Sequence, residues 1–201
     1  MKVAVLGAKI IGSTLGRKWA RAGHEVMFGV RNMDNPEVQA LAQELGATVG
    51  TLSNAITFGD VVVFAIPGGA MDETIQAHAG ALGSKIVIDA ANRMGGAVMN
   101  SAAAFAAYAP AAKVYRAFNS LGWKSFENPR FGDVQADLFC CGPGGETQLL
   151  MEKLIRDVGL RPVRLGDLSQ VHLVDMVGSL WFALAFGQGM GRQLAFKVLT
   201  R

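Results

Sequence analysis

Continuous apolar runs alternate with helical patterns along most of the chain. Residues 3–6 form an apolar run that predicts a buried strand, and the following segment, 11–22, has Leu15 and Trp19 on one face at helical spacing. A second apolar run, 24–30, completes a strand-helix-strand unit of about 30 residues. The chain therefore opens with the repeating unit of a parallel sheet.

The same alternation continues towards the C-terminus. Further strands are predicted at 47–51, 60–66, 85–89, 113–118, 137–141 and 162–165, and helices at 37–45, 54–58 (capped by Ser53), 71–82, 102–108, 146–158 and 170–186, with a last short helix to Leu199. Runs 60–66 and 85–89 are apolar on both faces, as strands covered by helices on each side must be. We predict an α/β fold: a Rossmann-type, doubly wound, mainly parallel sheet with a short C-terminal helical extension.

Composition narrows the class of protein. With 201 residues, 51% of them hydrophobic, the chain can bury the core of one domain over residues 1–201, in which 168–201 form a helical, dimerising segment. The 19 Lys and Arg against 16 Asp and Glu give a net charge of +3 without a basic run, which argues against a nucleic-acid partner. Adjacent Cys140 and Cys141 on a strand are expected to be reduced, buried and structural.

Neither apolar end of the chain predicts a membrane segment. Lys9 interrupts the apolar start, and no small-residue cleavage site follows, so a signal peptide is not expected. The late apolar run 176–186 is shorter than the roughly 20 residues that a membrane helix needs. We expect a cytoplasmic protein without a membrane partner.

The turn between the first strand and the first helix is a candidate phosphate site. Gly7 and Gly12 hold two of the three glycine positions of a dinucleotide fingerprint, and a helix N-terminus there attracts a diphosphate. Lys9 holds the second glycine position, so the backbone is further from the ligand, although an ammonium can compensate with its charge. The alternative is a tight strand-helix turn without a ligand.

Arg31 and Asn32 follow the second strand, where the adenosine ribose lies in dinucleotide-binding folds. An acidic residue at this place favours NAD, whereas a cation and an amide suit the 2′-phosphate of NADP. We therefore prefer NADP(H). The alternative for Arg31 is a solvated cation at a strand end.

The ends of the next two strands are expected at the same edge of the sheet. Pro67-Gly68-Gly69 and Ala90-Ala91-Asn92 should line the nicotinamide side of the cleft, or else serve as ordinary turns. Asn92 and Asn119 can bond the carboxamide, a second ring or a loop backbone. Asp89 is read as a cap of the following loop.

No other catalytic motif is present. The three histidines, His24, His78 and His172, lack metal-ligand spacing with Cys or carboxylates, so no metal site is predicted. There is no nucleophile elbow, and Gly142-Pro143-Gly144-Gly145 lacks the Lys-Ser/Thr of a P-loop. We assign no catalytic side chain.

These residues together resemble a known family, the NADPH-dependent reductases of the coenzyme F420 type, which are similar in turn to the cytosolic reductase domains of STEAP metalloreductases. The resemblance rests on the turn around Gly7 and Gly12 and on the segments 22–26, 28–31, 117–120, 128–132, 158–160 and 196–199, with Gly142 before a helix. It therefore extends over nearly the whole chain.

The resemblance implies hydride exchange between NADP(H) and a deazaflavin (coenzyme F420), a flavin or another small acceptor, usually in a homodimer. Such a reaction needs no acid-base side chain. Val30 stands where the deazaflavin enzymes often have a hydroxyl residue, and Lys9 also departs from the pattern. The residues expected at the cofactor are Gly7, Lys9, Ile10, Ile11, Gly12, Val30, Arg31, Asn32, Ile66, Pro67, Ala90 and Asn92.

Two other functions stay open at this point. A non-catalytic NADP-binding or regulatory domain would explain both Lys9 and the missing catalytic side chains. A pyrroline-carboxylate or imine reductase shares the N-terminal strand-turn-helix, but the chain is short of the long C-terminal helical domain of those enzymes.

Overall fold

The computed structural model describes all 201 residues and divides into two compact units, Met1–Val114 and Tyr115–Arg201. The elements of the first unit are β1 (Lys2–Leu6), α1 (Ile10–Arg21), β2 (Glu25–Gly29), α2 (Pro36–Leu45), β3 (Thr48–Gly50), α3 (Leu52–Phe58), β4 (Val61–Phe64), α4 (Met71–Ala77), α5 (Ala79–Leu82), β5 (Ile86–Asp89) and α6 (Ala102–Tyr108). β6 (Lys113–Arg116) contains the boundary between the units. The prediction of a single domain over residues 1–201 stays a prediction.

A six-stranded sheet in the order β3-β2-β1-β4-β5-β6 carries the first unit. β1 pairs in parallel with β2 on one side and with β4 on the other, and β5 continues from β4. Every residue of β4 and β5 is buried, as the two-sided apolar runs predict. The predicted Rossmann-type α/β fold is confirmed.

The contact between α1 and the sheet depends on a small residue. Leu15 and Trp19 are buried on the inner face of α1. A Cβ added to Gly16 would lie 2.5 Å from the ring of Phe28 on β2. Gly16 therefore lets the helix approach the strand that carries the candidate ribose site.

In the first unit, one helix begins two residues earlier than predicted and another is divided in two. α3 begins at Leu52 and is capped by Thr51, whose hydroxyl accepts from the N–H of Asn54 while the Asn54 side chain accepts from the N–H of Thr51. The predicted cap, Ser53, lies inside the helix. The predicted helix 71–82 is two helices, α4 and α5, which are separated at His78.

The second unit contains α7 (Trp123–Glu127), β7 (Arg130–Phe131), β8 (Val134–Gln135), β9 (Asp137–Cys140), α8 (Glu146–Val158), β10 (Arg161–Arg164) and α9 (Val171–Phe182). The alternating pattern had suggested that β9 and β10 continue the main sheet. They form a separate parallel pair instead. Within this unit a single antiparallel bridge joins Arg116 to Cys141. α7 and the β7-β8 hairpin were not predicted.

The predicted last helix to Leu199 is wrong. After a π-helical turn at Ala183–Gly187, residues 188–201 have no regular secondary structure, and Gly189 and Gly191 have φ of +69° and +79°. Side chains satisfy the backbone of this segment instead. The carbonyl of Leu194 accepts from the Trp181 indole N–H at 2.8 Å, and the Val198 N–H donates to the Asp137 carboxylate at 2.7 Å.

The late apolar segment is longer than its sequence run indicated. Leu168–Gly187 is helical over 20 residues with a mean hydropathy of 1.3, so by length and composition alone it could cross a membrane. Within its own unit, however, it buries Val174 and Trp181, and Asp175 pairs with the buried Arg116 at 2.8 Å. We interpret it as a helix packed in its unit, and the cytoplasmic location stays a prediction.

Candidate cofactor-binding site

A cavity of about 750 Å³ opens in the first unit at the carboxyl ends of β1, β2 and β4. The turn after β1, the segment after β2 and the segment after β4 all contribute to its wall, together with faces of α1, α2 and α4. Open parallel α/β sheets bind their ligands at this edge, where neighbouring connections diverge. Seven of the residues predicted at the cofactor line this cavity: Gly7, Lys9, Val30, Arg31, Asn32, Ile66 and Pro67.

The turn between β1 and α1 leaves no room for side chains at its two glycines. Gly7 has φ of +94°, and a Cβ there would lie 2.6 Å from the carbonyl oxygen of Ala65. A Cβ on Gly12 would lie 1.8 Å from the carbonyl oxygen of Gly7. The two glycines therefore hold the start of α1 against the strand ends, which brings its free N–H groups to the cavity.

Lys9 is the N-cap residue of α1, with φ of −74° and ψ of −170°. This extended backbone suits any residue, so the turn does not require glycine at this position. No side chain caps the helix, and its first turn has no acidic residue. The exposed ammonium of Lys9 and the positive end of the helix thus act in the same direction, towards an anion.

The segment after β2 supplies the second cation. Arg31 is exposed and lines the cavity. The Asn32 side chain stabilises the connection itself, because its oxygen accepts a hydrogen bond from the N–H of Asp34 at 3.1 Å. Asn35 then caps α2 by accepting from the N–H groups of Glu37 and Val38. Side-chain hydrogen bonds thus hold the connection between β2 and α2 that follows Arg31.

The wall after β4 is apolar. Ala65, Ile66, Pro67 and Ala70 line the cavity there. A Cβ on Gly68 would lie 2.4 Å from the carbonyl oxygen of Asn92, so the segments after β4 and β5 are packed closely against each other. A ring placed on this wall would be screened from water on that side.

Five predicted residues lie outside the cavity wall: Ile10, Ile11, Gly12, Ala90 and Asn92. Ala90 is buried behind the end of β5, and the Ile10 side chain is 55% exposed. Asp89 caps the following loop as expected, accepting from the N–H groups of Ala91 and Ser101. The role of these five residues at a cofactor stays a prediction.

Arg93 braces the loop that follows β5. Its guanidinium donates to the Asp72 carboxylate at the start of α4 and to the Ser101 hydroxyl at 3.3 Å. The hydrogen bond from Arg93 lowers the pKa of Asp72 below its usual value. The edge of the sheet beside the apolar wall is therefore fixed by an ion pair that the sequence pattern did not reveal.

Sequence reasoning also missed polar residues on the helix faces of the cavity. Ser13 and Arg17 of α1 line it, as do Glu73 and His78 at α4. The signal was available for α1, because residues 9, 13 and 17 are spaced by four and share one helix face. The glycine fingerprint does not include positions 13 and 17, so it does not predict this polar helix face.

Other reactive groups are not available for chemistry. Cys140 and Cys141 are free and buried, and burial raises the pKa of their thiols to about 12 and about 11. Both thiols are therefore protonated and unreactive at neutral pH, in agreement with a structural role. No group of three or more His, Cys, Asp or Glu side chains has the arrangement of a metal site.

One known protein family matches a large part of the first unit. Residues 2–93 match the family described as NADP oxidoreductase, coenzyme F420-dependent. This stretch contains β1 to β5 and the entire cavity wall, so the predicted resemblance is confirmed where the site lies. The similarity to STEAP reductase domains stays a prediction.

Solved structures agree in fold. A protein of Arthrobacter sp. FB24, described provisionally as an F420-dependent NADP reductase, is 22% identical, with complete coverage of both chains and a TM-score of 0.84. A hypothetical protein of Sinorhizobium meliloti is 24% identical over 84% of this chain and 86% of its own, with a TM-score of 0.70.

A reductive aminase of Aspergillus terreus in complex with NADPH is 18% identical, with a TM-score of 0.65, and covers 94% of this chain. This chain spans 61% of the length of that aminase. The prediction of an NADP-dependent oxidoreductase is confirmed by the family match of residues 2–93.

Proposed function

We propose that the protein transfers a hydride between NADP(H) and a flat, small acceptor of the deazaflavin (coenzyme F420) or flavin type. The observation that carries this proposal is the division of the cavity. Its β1 and β2 side presents Lys9, Arg31 and a helix N-terminus to phosphates, whereas the segment directly after β4 contributes the apolar residues Ala65, Ile66, Pro67 and Ala70. A dinucleotide whose phosphates lie on the first side has its reactive ring on the second.

The residues present fit NADP(H). The turn at Gly7 and Gly12 is a cradle that any Cβ would fill, and Arg31 suits a 2′-phosphate better than a ribose hydroxyl. When bound, the nicotinamide supplies the hydride chemistry itself. The chain supplies charge for the phosphates, and Ala65, Ile66 and Pro67 keep water from one face of the reacting rings.

No proton needs to move at a protein side chain in this reaction. Ala65, Ile66, Pro67 and Ala70 of the apolar wall carry no acid or base, whereas Glu73 and His78 line the same cavity from α4. A ring that lies on the apolar wall is therefore suited to direct hydride transfer to a second ring in contact with it. A carbonyl or imine acceptor would instead require a proton donor beside the acceptor atom. The four wall residues supply no such donor, so an acceptor lying on them is of the deazaflavin or flavin type, and a carbonyl substrate would have to lie towards Glu73 and His78 on α4.

A second candidate function is a non-catalytic NADP-binding domain. Lys9 favours it, because its side chain occupies the place where dinucleotide-binding folds bring the backbone closest to the diphosphate. Under this alternative the domain does not oxidise NADPH, whether Lys9 lets the cofactor bind or excludes it.

The decisive experiment measures oxidation of NADPH with F420, FMN, FAD and a small quinone as separate acceptors. The expected result is turnover with F420 or a flavin, with the KM for NADPH raised about a hundredfold by Arg31→Asp and unchanged by the surface variant Arg21→Met. Tight NADPH binding without turnover on any acceptor would leave the binding domain as the better account.

We also propose that the protein acts as a homodimer. The outer face of α9 exposes Met176 by 63% and Leu180 by 50%, while Trp181 on its inner face is buried. Apolar side chains repeated along one exposed helix face are typical of an interface with another chain.

A further inference from the structure

Three polar residues form a stripe along α1 on the cavity wall. Lys9, Ser13 and Arg17 are spaced by four residues and all line the cavity. At a rise of about 1.5 Å per residue, Arg17 lies about 12 Å beyond Lys9 along the helix axis. Its long side chain leans back towards the start of the helix, as helical side chains do. Even with this lean, the separation of about 12 Å along the axis lets Lys9 and Arg17 contact different phosphate groups of one ligand.

Arg17 has one partner within the chain. Its Nη1 donates to Oε1 of Glu44 on α2, and Nη2 of Arg21 lies 3.9 Å from the same oxygen. The hydrogen bond from Arg17 lowers the pKa of the Glu44 carboxyl, which is therefore charged at neutral pH. Nε and Nη2 of Arg17 form no hydrogen bond in the chain. These donors remain for a ligand.

The charges on the cavity wall favour an anion with separate phosphate groups. Three cations line it, Lys9, Arg17 and Arg31, against the carboxylates of Glu37 and Glu73. Lys9 stands at the N-terminus of α1, and Arg31 follows the end of β2 by two residues. Arg17 lines the same cavity from α1. A ligand that meets Arg31 after β2 therefore has a further cation available in the same cavity, on the α1 wall.

We propose that Arg17 is a second cation for the 2′-phosphate of NADP(H), and that Glu44 competes with this phosphate for its guanidinium. The inference rests on the proposed function, because it requires that NADP(H) binds in this cavity. Glu44 lies outside the cavity wall, so its carboxylate holds Arg17 when no phosphate is present and opposes its movement towards one.

The test is an equilibrium titration, by nucleotide fluorescence, of NADPH and NADH into four proteins: the wild type, Arg17→Met, Glu44→Gln and Arg21→Met. Arg17→Met should weaken NADPH binding about tenfold, the value of one hydrogen bond to a charged group, and leave NADH within about twofold. Glu44→Gln should tighten NADPH binding about two- to fivefold, because it removes a surface ion pair that competes with the ligand.

Arg21→Met is the matched control. Arg21 lies on the same helix near the same carboxylate oxygen, but it does not line the cavity, so both nucleotides should bind this variant as they bind the wild type. Thermal melting of all four proteins shows whether each is folded. Adenosine 2′,5′-bisphosphate against adenosine 5′-monophosphate repeats the comparison without the nicotinamide.

The outcomes separate this inference from the proposed function. If the wild type binds NADPH and Arg17→Met behaves like Arg21→Met, or weakens NADPH and NADH equally, Arg17 is not a 2′-phosphate ligand. If Glu44→Gln binds NADPH no more tightly than the wild type, the competition does not exist. A wild type that binds neither nucleotide would overturn the proposed function and this inference together.

Discussion

Arg31→Asp is the substitution that most directly tests the preference for NADP over NAD. Arg31 lines the cavity, is exposed, and forms no hydrogen bond or ion pair within the chain. Its replacement should therefore leave the stability of the fold nearly unchanged. Any effect on nucleotide binding then reports on the ligand and not on the connection between β2 and α2.

The expected magnitude has two parts. Loss of a charge-assisted hydrogen bond costs about 1.5 kcal/mol at an exposed site, the low end of the range for such bonds. A carboxylate about 4 Å from a phosphate adds repulsion of about 1 kcal/mol per unit of charge in a water-like medium, or roughly 1.5 kcal/mol for the 2′-phosphate. The sum of about 3 kcal/mol corresponds to roughly a hundredfold weaker NADPH binding.

NADH binding should not be weakened by Arg31→Asp. A carboxylate at the end of β2 can accept from a ribose hydroxyl, so NADH binding should be unchanged or a few times tighter. Arg31→Met separates the two parts, because it removes the cation without adding a carboxylate, and it should weaken NADPH binding about tenfold. Titration of NADPH and NADH into the wild type, Arg31→Asp and Arg31→Met measures these affinities. Equal losses for NADPH and NADH would refute the assignment of Arg31 to the 2′-phosphate.

Three further predictions concern other parts of the chain. Lys9→Met should weaken NADPH binding and make the remaining binding less sensitive to salt, whereas Lys9→Gly should be roughly neutral; tight binding that appears only in Lys9→Gly would identify the wild-type turn as blocked. Burial alone would raise the pKa of Asp137, but hydrogen bonds led by that from Arg161 outweigh it and lower the pKa. The carboxylate therefore stabilises the fold above the unfolded pKa of about 3.9, and this contribution is lost as the pH falls through the lower folded pKa. In urea unfolding, Asp137→Asn should cost about 1–3 kcal/mol at neutral pH and progressively less below about pH 4; a constant difference would contradict this. Sedimentation at micromolar concentration should show a dimer that Met176→Glu or Leu180→Glu converts to a monomer, and a wild-type monomer would refute the interface on α9.

The central part of the fold is legible in the sequence because parallel strands are buried on both faces. The apolar runs of β4 and β5 are therefore visible as strands in the sequence. The helical pattern between them indicates that a helix connects the two parallel strands. The second unit lacks such signals. α7 has five residues and the β7 and β8 strands two each, which is too short for a periodicity to develop.

The extended C-terminal segment was predicted as a helix for a different reason. Its composition allows a helix, but its backbone groups are satisfied by distant side chains, among them Trp181 and Asp137. Such tertiary hydrogen bonds leave no local pattern. The same holds at the candidate site, where Arg31 could be inferred from its place after a strand but the ion pair of Arg93 with Asp72 joins residues 21 positions apart.

The central claim is that the cavity holds NADPH so that its hydride passes directly to a flat acceptor ring. A single-turnover experiment tests it: the protein saturated with NADPH, deuterated at the transferred position, is mixed with F420 or FMN, and reduction of the acceptor is followed together with its deuterium content. The account predicts acceptor reduction at the rate of NADPH oxidation, slowed by deuteration, with deuterium in the reduced deazaflavin. NADPH that binds in the cavity and is never oxidised by any of these acceptors would contradict it.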